Sequence, residues 1–290
     1  MVKKLKFFVD SDSSTPIPNL LFTGSQGLGK TFMADKVAKA LGRELVEINC
    51  STVETTKNFI EDLLWKRVAG NISKTLLFDE SHKLSSEVTT ALLILLNPSN
   101  DNKNRLLYKD CLVEYDFHKV NSIFATTDAH RMFRPLVDRC VEIYFKLYDN
   151  EDLYNILKLY LPEIKLRCNP EDLAYACRGR ARDAFLLANN IKRYCMKNNI
   201  SDFDDNGWKD IKDIFDINSL GINEQEITLL KILKESSPLS CGNIAIKMGV
   251  NEDNVSSEIE VRPRELGLIE SGTRGRILTQ KGMEYLENIR

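Results

Sequence analysis

Residues 24–31 read GSQGLGKT and follow directly on the apolar run NLLF. No other stretch narrows the possible folds as much. A G-x-x-x-x-G-K-T segment between a strand and a helix forms a glycine-rich loop whose backbone N–H groups wrap phosphate oxygens at the helix N-terminus. Gly24, Gly27 and Gly29 permit the tight loop and the close backbone approach. Lys30 is expected on the β- and γ-phosphates of a nucleoside triphosphate, and Thr31 on Mg²⁺. Leu28 within this segment and Phe32 just after it are counted among the nucleotide-contacting residues. Eight residues can match such a pattern by accident, so the context decides.

The context is a β-α alternation. Apolar, β-rich runs recur at 19–24, 44–50, 75–80, 122–127 and 141–147, continuous more than alternating, as in parallel strands covered on both faces. Helical spacing is predicted over 30–41, 53–68 (Phe59, Leu63, Leu64) and 85–96. Residues 1–147 are therefore expected to form a nucleotide-binding α/β domain on a five-stranded parallel sheet. Three helices at 149–160, 170–178 and 182–198, punctuated by Pro162 and Gly179, make residues 148–220 a helical module. The polar stretch NNISDFDDNG is expected to lie behind them. Within 221–290, helices start at Asn223 (with Glu226 three later), Ser240 and Asn251, then come LGLIE, SGTRGR and ILTQ as strands around a turn. Three helices and a β-wing make a winged helix.

Several side chains stand where chemistry is needed. The strand TLLF ends in Asp79-Glu80, a pair suited to holding the metal (Asp79) and polarising an attacking water (Glu80); the alternative is an acidic helix cap before Ser81. The strand SIFATT ends in Thr126-Thr127, where a hydroxyl can read the γ-phosphate or serve simply as a strand residue. Arg139, in RPLVDRC, can offer its guanidinium to a neighbouring subunit's nucleotide or pair with Asp138 on the surface. Arg182 opens a helix, where a cation opposes the dipole unless an anion is near. Arg274 and Arg276 flank Gly275 at the wing tip and suit DNA phosphates, while the acidic helix NEDNVSSEIE is unsuited to reading a major groove. Winged helices also bind proteins.

Bulk charge agrees with a local contact only: the net charge is -2, so nucleic acid must be met by a patch. The seven cysteines form no C-x-x-C pair and do not cluster with the three histidines, which speaks against a structural metal and for a reduced, cytoplasmic setting. No apolar run approaches membrane-spanning length, and MVKKLKFF has no signal-peptide pattern.

Taken in order, NLLFTGSQGLGKT, LLFDESHKLS, FATTDAHRMFRPLVDRC, RGRARDAF and LGLIESGTRGRILT resemble the RuvB-type motors, AAA+ ATPases of Holliday-junction branch migration. The resemblance implies an AAA+ domain with helical lid and winged helix, ATP and Mg²⁺ as ligands, and a hexameric ring on duplex or four-way DNA. Arg139 would be the finger reaching the adjacent subunit, Thr127 the first sensor, Arg182 the second, and Tyr148 an adenine contact. Four departures are visible. The family has a further N-terminal segment contributing to the adenine pocket, and Ser25-Gln26 stands where it has two prolines. NRLLYKDCLVEYDF is shorter and more polar than the family's hairpin for a junction-binding partner protein, so that partnership is expected absent or altered. Ser271 replaces a wing arginine, leaving Arg276 as the favoured DNA contact. Two further readings stay open: a clamp-loader-like ATPase, disfavoured by the C-terminal wing, and an ATP-gated DNA-binding switch with little turnover.

Overall fold

Burial on both faces is what the five apolar runs require, and a single parallel sheet supplies it. The computed structural model describes residues 2–10, 16–53, 55–61, 73–97, 103–109, 111–116 and 118–289. The chain divides into two compact units, Met1–Leu147 and Tyr148–Arg290.

In the first unit, helix α1 (Val2–Val9) precedes β1 (Leu20–Thr23), α2 (Lys30–Ala40), β2 (Glu44–Asn49), β3 (Lys74–Asp79) and α3 (Ser86–Leu95). A hairpin of β4 (Lys103–Tyr108) and β5 (Cys111–Asp116) follows, then β6 (Val120–Thr126), the short helix α4 (Arg134–Val137) and β7 (Val141–Tyr144). The sheet order is β2-β3-β6-β1-β7, with every pairing parallel. Phe22, Phe78 and Phe124 are fully buried in it, and the Phe78 and Phe124 rings stack at 4.8 Å. The helix expected over 53–68 begins near residue 56, with Phe59 and Ile60 fully buried. Its part from 62 onward, with Leu63 and Leu64, lies outside the described residues. Helix α1 was not expected from the sequence; it is tied down by Lys4, whose Nζ donates to the Glu142 carbonyl at 2.7 Å.

The hairpin stem is polar, with Lys103 and Arg105 flanking Glu114 at 3.0 and 3.2 Å, and Lys109 at the turn pairs with Glu61 at 2.5 Å. At its end Leu107 pairs with Leu112, and the two are 71% and 62% exposed.

The second unit has two apolar clusters. One is helical: α5 (Asn150–Tyr160), the short strand β8 (Lys165–Leu166), α6 (Pro170–Ala176), α7 (Ala181–Asn198), β9 (Asp202–Phe203) and α8 (Asp205–Phe215), packed around Leu157, Ile191, Phe203 and Trp208. Helix α8 occupies the end of the stretch expected to be polar punctuation; Asp204 caps it, accepting from the Gly207 N–H, and Trp208 and Ile211 bury its inner face. The other cluster is the winged helix: α9 (Glu224–Ser236), α10 (Cys241–Met248), α11 (Glu252–Asn254), a π-helical stretch Val255–Ile259, α12 (Val261–Glu265), the antiparallel wing β10 (Ile269–Gly272) and β11 (Gly275–Leu278), and α13 (Gln280–Asn288). Asn223 and Glu226 form the expected capping box. Glu226, with no exposed surface, also takes the guanidinium of Arg178, just past the end of α6 in the helical cluster. Burial pushes its carboxyl up, and Arg178 pulls it back. Close by, Gly221 lies against the Tyr175 carbonyl, where a side chain would not fit.

Candidate nucleotide and DNA sites

All five sheet strands run the same way, so their carboxyl ends share one edge, the place where open α/β sheets bind ligands. Pairing of Thr23 with Thr126, and of Phe78 with Phe124, brings the start of the phosphate loop, the end of β6 and the end of β3 to one level. A Cβ at Gly24 would run into the carbonyl oxygen of Phe145, so the loop can begin only with glycine. Gly29 caps α2 in the left-handed region (φ 85°, ψ 24°), and no side chain caps that helix. The first turn of α2 is thus shaped for an anion. Lys30, 8% exposed, curls back onto its loop, donating to the carbonyls of Gly24 at 2.7 Å and Ser25 at 2.9 Å. Leu28 is buried beneath the loop, while Phe32 points outward, 59% exposed, under the Lys36 ammonium.

Asp79 ends β3, and its carboxylate accepts from the Glu80 N–H at 3.1 Å. Glu80 has φ 52° and ψ 45°, a left-handed conformation that costs a non-glycine residue about 1–3 kcal/mol and that surrounding structure must hold. Three contacts do so. Thr127 Oγ1 donates to Glu80 Oε2 at 3.3 Å, Ser81 Oγ donates to the Ala125 carbonyl at 3.1 Å, and the His82 ring packs between Thr126 and Glu80. The acidic pair therefore does not cap a helix with its side chains. Thr31, half-buried at the start of α2, and Asp79 offer two oxygens, a set that suits Mg²⁺, which keeps several waters and takes phosphate oxygens. Among the described residues no cluster of three or more His, Cys, Asp or Glu could hold a metal by itself.

Arg139 stands between α4 and β7. Its Nη1 donates to the Pro135 carbonyl at 2.7 Å and its Nη2 to Asn97 Oδ1 at 3.4 Å, while Nε is buried with no partner among the described residues. The Asp138–Arg139 ion pair weighed from the sequence is not formed; Asp138 pairs with Arg134 at 3.0 Å. Among the described residues Arg139 therefore has only neutral partners.

In the second unit, Tyr148 donates its N–H to the Gly179 carbonyl at 3.0 Å, and burial pushes its hydroxyl up. Arg182 is exposed in the first turn of α7, which has Arg180 as an N-cap without a side-chain bond. Part of the anion that this position demands is Asp183 in the same turn: burial pushes its carboxyl up, and Arg180, Arg178, Arg182 and Arg262 pull it down.

On the wing the two arginines differ in their surroundings. Arg276 sends Nε and Nη2 to Glu260, 1% exposed, at 2.8 and 3.0 Å, and Arg264 pairs with the same carboxylate. Its charge is spent inside the domain, whereas Arg274 is exposed at the turn. Arg276→Ala is expected to cost about 2–3 kcal/mol, because Glu260 keeps only Arg264, and to lower the melting temperature by about 5–10 °C. Arg274→Ala should leave melting unchanged, weaken DNA binding evenly across sequences and reduce the salt slope by about 1. Calorimetry beside a salt titration of DNA affinity separates the two.

Residues 20–147 match the family of ATPases associated with various cellular activities (AAA), and residues 219–287 match the RuvB C-terminal winged helix domain. The RuvB subunit of the Holliday junction branch migration complex of Campylobacter hominis is 26% identical, over 93% of this chain and 80% of that protein; that of Ehrlichia canis is 27% identical, over 99% and 89%. A solved structure of the Thermotoga maritima RuvB Holliday junction branch migration motor superposes with a TM-score of 0.81, at 20% identity, covering 99% of this chain and 93% of that one, a likeness of fold. The sheet domain thus matches the AAA ATPases and the winged helix that of RuvB, and over nearly its whole length the chain is similar to RuvB branch migration subunits.

Proposed function

We propose that this chain is a DNA motor that hydrolyses ATP in a ring assembly, a hexamer by resemblance, and drives branch migration of four-way junctions in recombination and repair. One observation carries the reading: Glu80, in a strained backbone conformation at the end of β3, has its carboxylate held by Thr127 from the end of β6, level with the start of the phosphate loop. Mg²⁺-bound ATP supplies the phosphoanhydride whose γ-phosphoryl passes to water. The chain's residues divide the remaining work. Gly24, Gly27, Leu28, Gly29 and Phe32 form and flank the cradle, and Lys30 turns its ammonium from the loop carbonyls to the phosphates. Thr31 and Asp79 hold the metal. Glu80 takes the proton of the attacking water, and Thr127 orients it.

Arg139 completes the site of the adjacent subunit, a role that its having only neutral partners supports. Arg182 and Tyr148, on the lid, meet the nucleotide and relay its state. Arg274 touches DNA backbone. The exposed leucines of the hairpin support docking of a junction-binding partner protein. Among the described residues no helix is long and apolar enough to cross a membrane; the reduced cytoplasm is the proposed location.

The test is steady-state ATP hydrolysis with and without four-way-junction DNA, together with strand exchange on that substrate. Hydrolysis faster with the junction, accompanied by exchange, is the expected result. Tight nucleotide-dependent DNA binding without turnover would instead make the chain a switch.

A further inference from the structure

Glu80 has a second neighbour besides Thr127. His82 lies in the 3₁₀ turn Ser81–Lys83, with its side chain 7% exposed and Nδ1 placed 2.9 Å from Thr126 Oγ1 and 3.4 Å from Glu80 Oε2. The turn cannot drift, because Ser81 Oγ is bonded to the Ala125 carbonyl. Thr126, 1% exposed, is fixed as well, its Oγ1 accepting the Asp128 N–H at 3.0 Å. An ionised carboxylate only accepts, so the tautomer compatible with Glu80 at this distance carries its proton on Nδ1. That N–H then donates to the Thr126 oxygen, with Glu80 Oε2 beside it at ion-pair distance, 3.4 Å. Thr127 donates to Oε2 itself. The Thr127 hydroxyl and the His82 ring thus both stand against Oε2, and among the described residues no hydrogen bond engages Oε1.

We propose that His82 is a positioning residue for hydrolysis: its Nδ1–H, anchored on Thr126, holds Glu80 Oε2 together with Thr127 and leaves Oε1 turned toward the water. This rests on the reading of Glu80 as the proton acceptor. A carboxylate on a flexible stem and a strained backbone is productive only in one orientation, and losing a positioning contact of this kind costs up to about a hundredfold in rate.

The side-chain geometry supplies a sharp test. Asparagine places an amide nitrogen at the position of the histidine Nδ1, two bonds beyond Cβ; glutamine places its own one bond farther out. ATP turnover, KM and melting temperature are measured for the wild type, His82→Asn, His82→Gln, His82→Ala, Glu80→Gln and the Glu80→Gln/His82→Ala double variant. The expected pattern is a fall in kcat of about tenfold to a hundredfold for His82→Ala and His82→Gln with KM unchanged. His82→Asn recovers most of it, and His82→Ala causes no further loss on the Glu80→Gln background. Wild-type kcat in His82→Ala, equal losses for Asn and Gln, or a further loss on the Glu80→Gln background would each overturn the proposal. If Glu80→Gln itself turns over at the wild-type rate, the reading of Glu80 fails and this proposal with it. A slow Glu80→Gln beside a fast His82→Ala rejects His82 alone.

Discussion

Glu80→Gln should bind ATP as tightly as the wild type and turn it over about 10²–10⁴-fold more slowly. The substitution preserves volume and leaves an oxygen to accept from Thr127 Oγ1, so the strained turn after β3 keeps its support. What disappears is the basic oxygen that takes the proton. Binding should not suffer, because the phosphate cradle is built from the loop beginning at Gly24 and from Lys30. Fluorescent-nucleotide binding and single-turnover hydrolysis separate the two effects. Turnover within about threefold of the wild type would remove Glu80 from the chemistry and return it to the status of a turn residue.

Arg139→Ala is the second large effect, a fall of about 10³-fold, the scale on which a guanidinium supplied to a phosphoryl-transfer transition state acts. The more telling measurement is mixing. In its own subunit Arg139 touches a carbonyl and an amide oxygen, contacts whose loss costs little, so the variant should fold normally. If the guanidinium serves a neighbour's nucleotide, a mixture of Arg139→Ala with the inactive Glu80→Gln should regain hydrolysis that neither variant shows alone, because an Arg139→Ala subunit keeps its own Glu80 and borrows the guanidinium of a Glu80→Gln neighbour. No recovery in that mixture would place Arg139 in its own site. Arg139→Lys should rescue little, since an ammonium lacks the planar fork.

The sheet was legible because its strands are buried on both faces. Phe22, Phe78 and Phe124 sit within runs that have no polar face to confuse the pattern. The helices α1, α8 and α13 were missed. In α8, Trp208, Ile211, Ile214 and Phe215 recur at helical spacing on one face, so the apolar stripe itself is present. Its start is set by Asp204 inside a stretch that reads as a polar loop. The phosphate loop and the acidic pair could be read because their chemistry is local in sequence. His82 could not, since its meaning depends on Thr126, 44 positions away on another strand. The pairing of Arg276 was hidden on the same account: Glu260, which meets it, lies on an element that spacing alone does not bring beside the wing.

The capping residue of the winged helix is not wholly its own. Glu226 closes the start of α9 and at the same time neutralises Arg178 just past α6 of the helical cluster, with no exposed surface left between these duties. Any recombination event or engineered chimera cut between residues 220 and 221 would separate a buried anion from its cation, leaving a charge in the interior with nothing opposite it. A junction placed before Tyr148 keeps the pair together. The unit of inheritance, and of successful domain grafting, is therefore the helical module with its wing, not the wing by itself.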